Sequence, residues 1–140
     1  MLLRAVVDPI YLLLNCWIKI AWGIYLPRTA QVGGGLYLCH FGGVIISPMT
    51  VIGRNCNLSH DVTIGIAGTG ETCGVPVIGD DVYIGPGAKV FGSIRIGNNV
   101  KIGANAVVYR DVPDNSIVAL NPGFELISSK GNRQVMKLAA

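Results

Sequence analysis

The chain has 140 residues, enough for one domain with a single core; at 14% charged against 51% hydrophobic it is poor in charge for a soluble surface, so some outer faces are expected to lie against other subunits. A formal charge of +3 on scattered basic residues such as Arg54, Lys89, Arg95 and Lys101 argues against a nucleic-acid interface and suits a small anionic ligand. The cysteines (Cys16, Cys39, Cys56, Cys73) have no CxxC spacing and read as reduced thiols in a cytosolic protein.

Residues 1–26 form the first element. Val6, Val7, Ile10, Leu12, Leu13, Leu14, Trp17, Ile18 and Ile20 make it apolar, but Asp8, Pro9, Asn15 and Lys19 interrupt it. Neither a clean membrane span nor a secretory cleavage site follows from that pattern. It predicts an apolar helix starting near Pro9, since proline suits a first helical turn. The expected role is to cover an open end of the domain or to pack in an oligomer. The alternative is to lie on a membrane face, which Tyr11, Trp17, Lys19 and Trp22 would suit, putting a cytoplasmic protein at the inner membrane face.

Beyond this helix the chain takes up a six-residue period. Val32 and Leu38 open the first hexads; Ile52, Leu58 and Ile64 open the next, with Cys56 and Val62 at fifth places. From Ile78 to Pro113 the repeat runs without a slip: IGDDVY, IGPGAK, VFGSIR, IGNNVK, IGANAV, VYRDVP. An aliphatic residue opens each hexad, a small or aliphatic one returns at the fifth place, and glycine is second in four of them. A helix needs apolar spacing near 3.6 and a strand near 2, so the period predicts short strands joined by tight turns: an all-β, parallel β-helix whose coils bury their faces only by stacking. Three hexads make one triangular coil, so Val32 to Pro113 gives about four coils stacked at roughly 4.8 Å. Leu38 to Ile52 and Ile64 to Ile78 each take fourteen residues where twelve are due. HFGG and SPMT are turn-like pieces of the first stretch, and the middle of GIAGTGETCGVP must leave the wall as a loop. From Asp114 the repeat is lost, and the tail reads as a cap or return segment.

The segments GLYLCHFGGVII, VTIGIAGTG and PVIGDDVYIGPGAKVFGSIRIGNNVKIGANAVVYRDVP together resemble the hexapeptide-repeat acyltransferases. They are most similar to the left-handed β-helix domain of serine acetyltransferase and its relatives that acetylate sugars and polysaccharides. The likeness runs from about Pro27 to Asn121, dividing the chain into a helical segment (1–26), a β-helix (27–121) and a tail (122–140). The resemblance, not the periodicity, implies a left-handed coil, for parallel crossovers are ordinarily right-handed. It likewise implies a homotrimer with acetyl-CoA bound in a cleft between two protomers.

By that resemblance His40, in LCHFGG, is the general base that takes a proton from an acceptor hydroxyl as the hydroxyl attacks the thioester. Imidazole, with an intrinsic pKa of about 6.5, can accept this proton and pass it to the leaving thiolate. Twenty residues separate His40 from His60 and also Leu38 from Leu58, so the two imidazoles are expected on adjacent coils. That makes His60 a second catalytic candidate; its other reading is an exposed turn residue beside Asp61. Where the resembled serine acetyltransferases carry an orienting aspartate, a substrate aspartate and a further histidine, this chain has Tyr25, Cys39 and Val75. Cys39 reads as a wall residue rather than a nucleophile.

For the donor, Gly65, Gly68 and Gly70 offer unobstructed backbone N–H groups to a thioester oxygen gaining negative charge; their other reading is a flexible loop. The resemblance assigns the backbone at Pro86 and Ala104 to the pantetheine cleft, and Lys89 and Lys101 are candidates for its phosphates. In ALNPGFEL, Phe124 stands where the family has a basic residue near the nucleotide. No metal site is expected, and Asp80 and Asp81 read as solvated turn formers.

The departures at Tyr25, Cys39 and Val75 favour a sugar or surface-polysaccharide hydroxyl as the acceptor of an acetyl-CoA-dependent O-acetyltransferase. The alternative is a serine O-acetyltransferase serving cysteine synthesis. A third reading, from a different class, is a non-catalytic trimeric scaffold that binds a partner through its N-terminal helices.

Overall fold

The six-residue period becomes a coil because each hexad supplies one short strand and one turn. In the computed structural model, which describes residues 2–69 and 73–120, the first coil holds β1 (Gln31–Val32), β2 (Tyr37–Leu38) and β3 (Ile45–Ile46). The second holds β4 (Val51–Ile52), β5 (Asn57–Leu58) and β6 (Thr63–Gly65), and the third β7 (Val77–Ile78), β8 (Tyr83–Ile84) and β9 (Lys89–Phe91). The fourth is β10 (Arg95–Ile96), β11 (Lys101–Ile102) and β12 (Val107–Val108), and β13 (Ile117–Val118) follows. They form three parallel sheets, ordered β1-β4-β7-β10, β2-β5-β8-β11-β13 and β3-β6-β9-β12. Ile52 lies beside Ile78, Leu58 beside Ile84 and Ile64 beside Val90, so equal hexad places stack. The opening residues from Ile46 to Val108 point inward with Cys56, Val62, Val82, Ala88, Val100 and Ala106 from the fifth places. Each fully buried aliphatic side chain contributes about 1.5–3 kcal/mol.

The turns explain the remaining hexad places. Asn55, Asp61, Asp81, Asn99, Asn105 and Asn115, each fourth in its hexad, have φ between 51° and 59°, a left-handed conformation that asparagine and aspartate tolerate best among non-glycine residues. Second-place glycines sit where coils nearly touch: a Cβ on Gly79 would lie 2.5 Å from Asn98 Oδ1 and 2.8 Å from the Gly97 carbonyl carbon. Third-place side chains tie coil to coil. The Arg54 N–H donates to Asp80 Oδ1 (2.7 Å), the Asp80 N–H to Asn98 Oδ1 (2.8 Å) and the Asn98 N–H to Asp114 Oδ1 (2.8 Å). Asp80 is therefore a rung of this ladder and not merely a solvated turn former. The Arg54 backbone N–H, then its guanidinium, hold the Asp80 carboxyl below the ordinary range.

The structure corrects three expectations. Ile64 and Ile78 lie on successive faces, so the fourteen residues between them replace six, not twelve, and the excess projects as a loop closed by an antiparallel bridge between Ala67 and Gly74. The coil also persists past Asp114. Val112 bridges Ile96 and β13 pairs with β11, because the step from Val108 to Val112 is merely shortened. Finally α1 spans Leu2–Trp22 with Pro9 inside it, so the helix begins upstream of that proline. Proline there removes one intrahelical hydrogen bond, a loss the surrounding turns tolerate. Among the described residues no helix is long and apolar enough to cross a membrane.

Candidate active site

The turns leading from the β2-β5-β8-β11 wall to the β3-β6-β9-β12 wall stack into one edge of the prism. Going away from α1, that edge carries the His40–Gly43 loop, then His60 and Asp61, then Pro86 and Gly87, then Ala104 and Asn105. Backbone bonds join the levels: the Asp61 N–H donates to Gly42 O (3.2 Å), the Gly87 N–H to His60 O (3.0 Å) and the Asn105 N–H to Pro86 O (2.8 Å). The extra residues of the first coil fall in this loop, which pushes HFGG outward and leaves His40 exposed. Gly43 is required there: its φ is 61°, and a Cβ would collide with the Asp61 carboxylate.

His40 and His60 come together at the head of this edge, ring centroids 5.6 Å apart and edge to face at 73°. His60 is half-buried, which corrects its reading as an exposed turn residue; Asp61 turns outward while the imidazole packs against His40. Its Nδ1 is buried and has no hydrogen-bond partner among the described residues. An exposed imidazole braced by a second one can accept a proton from a hydroxyl brought to the edge. Lys89 adds a cation at the same turn, but its Nζ already donates to Asp61 O (2.6 Å) and Thr63 Oγ1 (3.2 Å).

The other candidates lie elsewhere. Lys101 follows a different turn column, its Nζ 5.7 Å from the Tyr83 ring centroid. Gly65 ends β6 and Gly68, at φ 99°, lies in the projecting loop, so both are one wall away from the histidines within this chain. Gly70, Asn121 and Phe124 fall outside the described residues. Cys39 is half-buried in the wall with Sγ 3.8 Å from Ser59 Oγ. Tyr25 pairs by its N–H with Val44 O (2.7 Å), and the Lys19 ammonium stands 4.5 Å from its ring centroid. Among the described residues no cluster of three metal-ligating side chains occurs.

One feature escaped the sequence reading. An apolar groove of about 660 Å³ lies between α1 and the end of the column, walled by Leu14, Ile18 and Trp22 of α1 and by Ile24, Leu26 and Leu38, with His40 and Phe41 also lining it. The i, i+4, i+8 spacing of Leu14, Ile18 and Trp22 marks one helix face, but exposed apolar residues on other faces, Leu12, Leu13 and Ile20 among them, conceal it.

The model of the bacterial transferase hexapeptide, six repeats, matches residues 76–110. The coil belongs to the hexapeptide-repeat acyltransferase family. A serine acetyltransferase of Helicobacter pylori is 46% identical over 96 residues, covering 67% of this chain and 55% of the relative. The solved serine acetyltransferase of Neisseria gonorrhoeae in complex with serine is similar with a TM-score of 0.71 and 36% identity, over 87% of this chain and 51% of that one. Another, solved in complex with CoA, gives a TM-score of 0.71 at 31% identity, over 86% of this chain and 49% of that one. The chain thus spans about half the length of these relatives. Its coil is the left-handed parallel β-helix of this family. The comparisons overturn the sugar or polysaccharide acceptor and that branch of the family: the relatives are serine acetyltransferases. The departures at Tyr25, Cys39 and Val75 do not outweigh the likeness along the whole coil.

Proposed function

We propose that this chain is an acetyl-CoA-dependent serine O-acetyltransferase module with His40 as general base. The observation that carries the reading is the His40–His60 pair, 5.6 Å apart, heading an edge that continues through Pro86 and Ala104, in a coil whose relatives are named serine acetyltransferases. The serine hydroxyl gives its proton to His40 as its oxygen bonds to the thioester carbonyl carbon; collapse of the oxyanion breaks the C–S bond, and the thiolate takes the proton. His60 braces the His40 ring and limits its rotamers. CoA lies along the edge with its pantetheine arm against the backbone at Pro86 and Ala104, and Lys89 contributes a cation beside the histidine turn.

The glycine loop lies one wall away from the histidines of its own chain, so backbone N–H groups of Gly65 and Gly68 reach the thioester oxygen only from a neighbouring copy. A homotrimer with sites between protomers supplies that arrangement. The test is thiol release from acetyl-CoA with L-serine. Turnover with serine, and none with acetylatable sugars, supports the reading; the reverse preference overturns it.

A further inference from the structure

We propose that the groove between α1 and His40 is an acyl-chain site, through which this chain also transfers linear acyl groups of about four to eight carbons from CoA thioesters. The proposal rests on the donor path argued above. Ala104, Pro86, His60 and His40 climb one edge toward α1, and His40, at the head of that line, also lines the groove. A thioester arriving from the Pro86 side with its carbonyl at His40 therefore directs its acyl tail past His40 into the groove.

The walls select the occupant. Leu14, Ile18, Ile24, Leu26 and Leu38 are apolar, and the groove's Asn15 Nδ2 and Tyr11 OH are bonded to each other at 2.6 Å. A zwitterionic amino acid or a sugar would leave charges or hydroxyls unpartnered there, whereas methylenes lose nothing by leaving water. The volume of about 660 Å³ lies within the roughly 300–1,000 Å³ of small-molecule pockets and far exceeds what an acetyl methyl fills. The chemistry balances as for acetyl: the hydroxyl oxygen bonds to the acyl carbon, the C–S bond breaks, and the proton passes through His40 to the thiolate.

The test measures kcat/KM with L-serine for acetyl-, butyryl-, hexanoyl- and octanoyl-CoA, alongside calorimetric binding of octyl-CoA thioether and CoA. Each buried methylene is worth about threefold to fourfold, so butyryl-CoA should exceed acetyl-CoA by about tenfold and octyl-CoA should bind at least about tenfold tighter than CoA. Ile18→Trp and Leu14→Phe, which fill the groove, should each erase both ratios. Specificity that falls steadily beyond acetyl, with octyl-CoA no tighter than CoA, overturns the acyl-chain site and leaves serine acetylation standing. If serine is not acylated at all while octyl-CoA still binds tightly in a groove-dependent way, the acceptor reading fails and the acyl site survives. A changed oligomeric state in both filled variants would give the groove to a neighbouring copy and overturn the proposal.

Discussion

Thr50 occupies an inward fifth place that its counterparts fill with apolar side chains, and it is fully buried with Oγ1 unpartnered among the described residues. A buried hydroxyl without a partner costs about 1–3 kcal/mol, so Thr50→Val should raise stability by about 1–2 kcal/mol, read as a higher unfolding midpoint. A lower midpoint would show that the hydroxyl is satisfied. Asp80 behaves in the opposite sense. Its carboxyl, bonded by the Arg54 N–H and guanidinium, titrates below the ordinary range. The unfolded carboxyl titrates at about 3.9, so the stabilisation is complete above that pH and disappears as the pH falls through the lower folded value. Asp80→Asn should therefore flatten the acid limb of stability against pH, and superimposable limbs would contradict the ladder. His40 shows how far a residue's role was legible. The spacing of Leu38, His40, Leu58 and His60 told that the two rings share an edge, but not that His60 turns inward, since a turn residue's facing depends on the extra residues in the loop above it.

At the scale of the strand and turn, the tightest constraint is the close approach at second-place glycines. A methyl at Gly79 would press on the Gly97 carbonyl, which is backbone and cannot swing away. Gly79→Ala should destabilise by about 2–3 kcal/mol, as overpacking does, and lower the melting temperature by several degrees; an unchanged melting temperature would mean that the coils separate freely. The hexads from Ile78 to Val108 were legible because side-chain type and period agree at every step. The length of the loop before Ile78 is ambiguous in the sequence for an arithmetic reason: a six-residue period reveals an insertion only by its remainder, and fourteen residues leave the same remainder whether they replace six or twelve. Pairing of Ile64 with Val90 removes the ambiguity. The shortened step from Val108 to Val112 hid β13 in the same way, since it shifted the phase just before Asp114.

Over the whole molecule, the histidines and the glycine loop occupy different edges, which ties activity to assembly. Mixing His40→Ala with Gly68→Val subunits by co-refolding should restore activity that neither has alone, because some sites then combine an intact histidine edge with an intact loop. No restoration, with mixed trimers present, would place both contributions in one chain. The acceptor was the least legible property, because the sequence registers departures at Tyr25, Cys39 and Val75 without showing what fills the space they vacate. The most direct measurement is the rate of thiol release from acetyl-CoA with L-serine for the parent chain and for His40→Ala. General-base catalysis typically contributes about 10²–10⁴-fold, so kcat/KM should fall by that factor while CoA binding persists. A His40→Ala protein that acetylates serine at the parental rate would contradict the account.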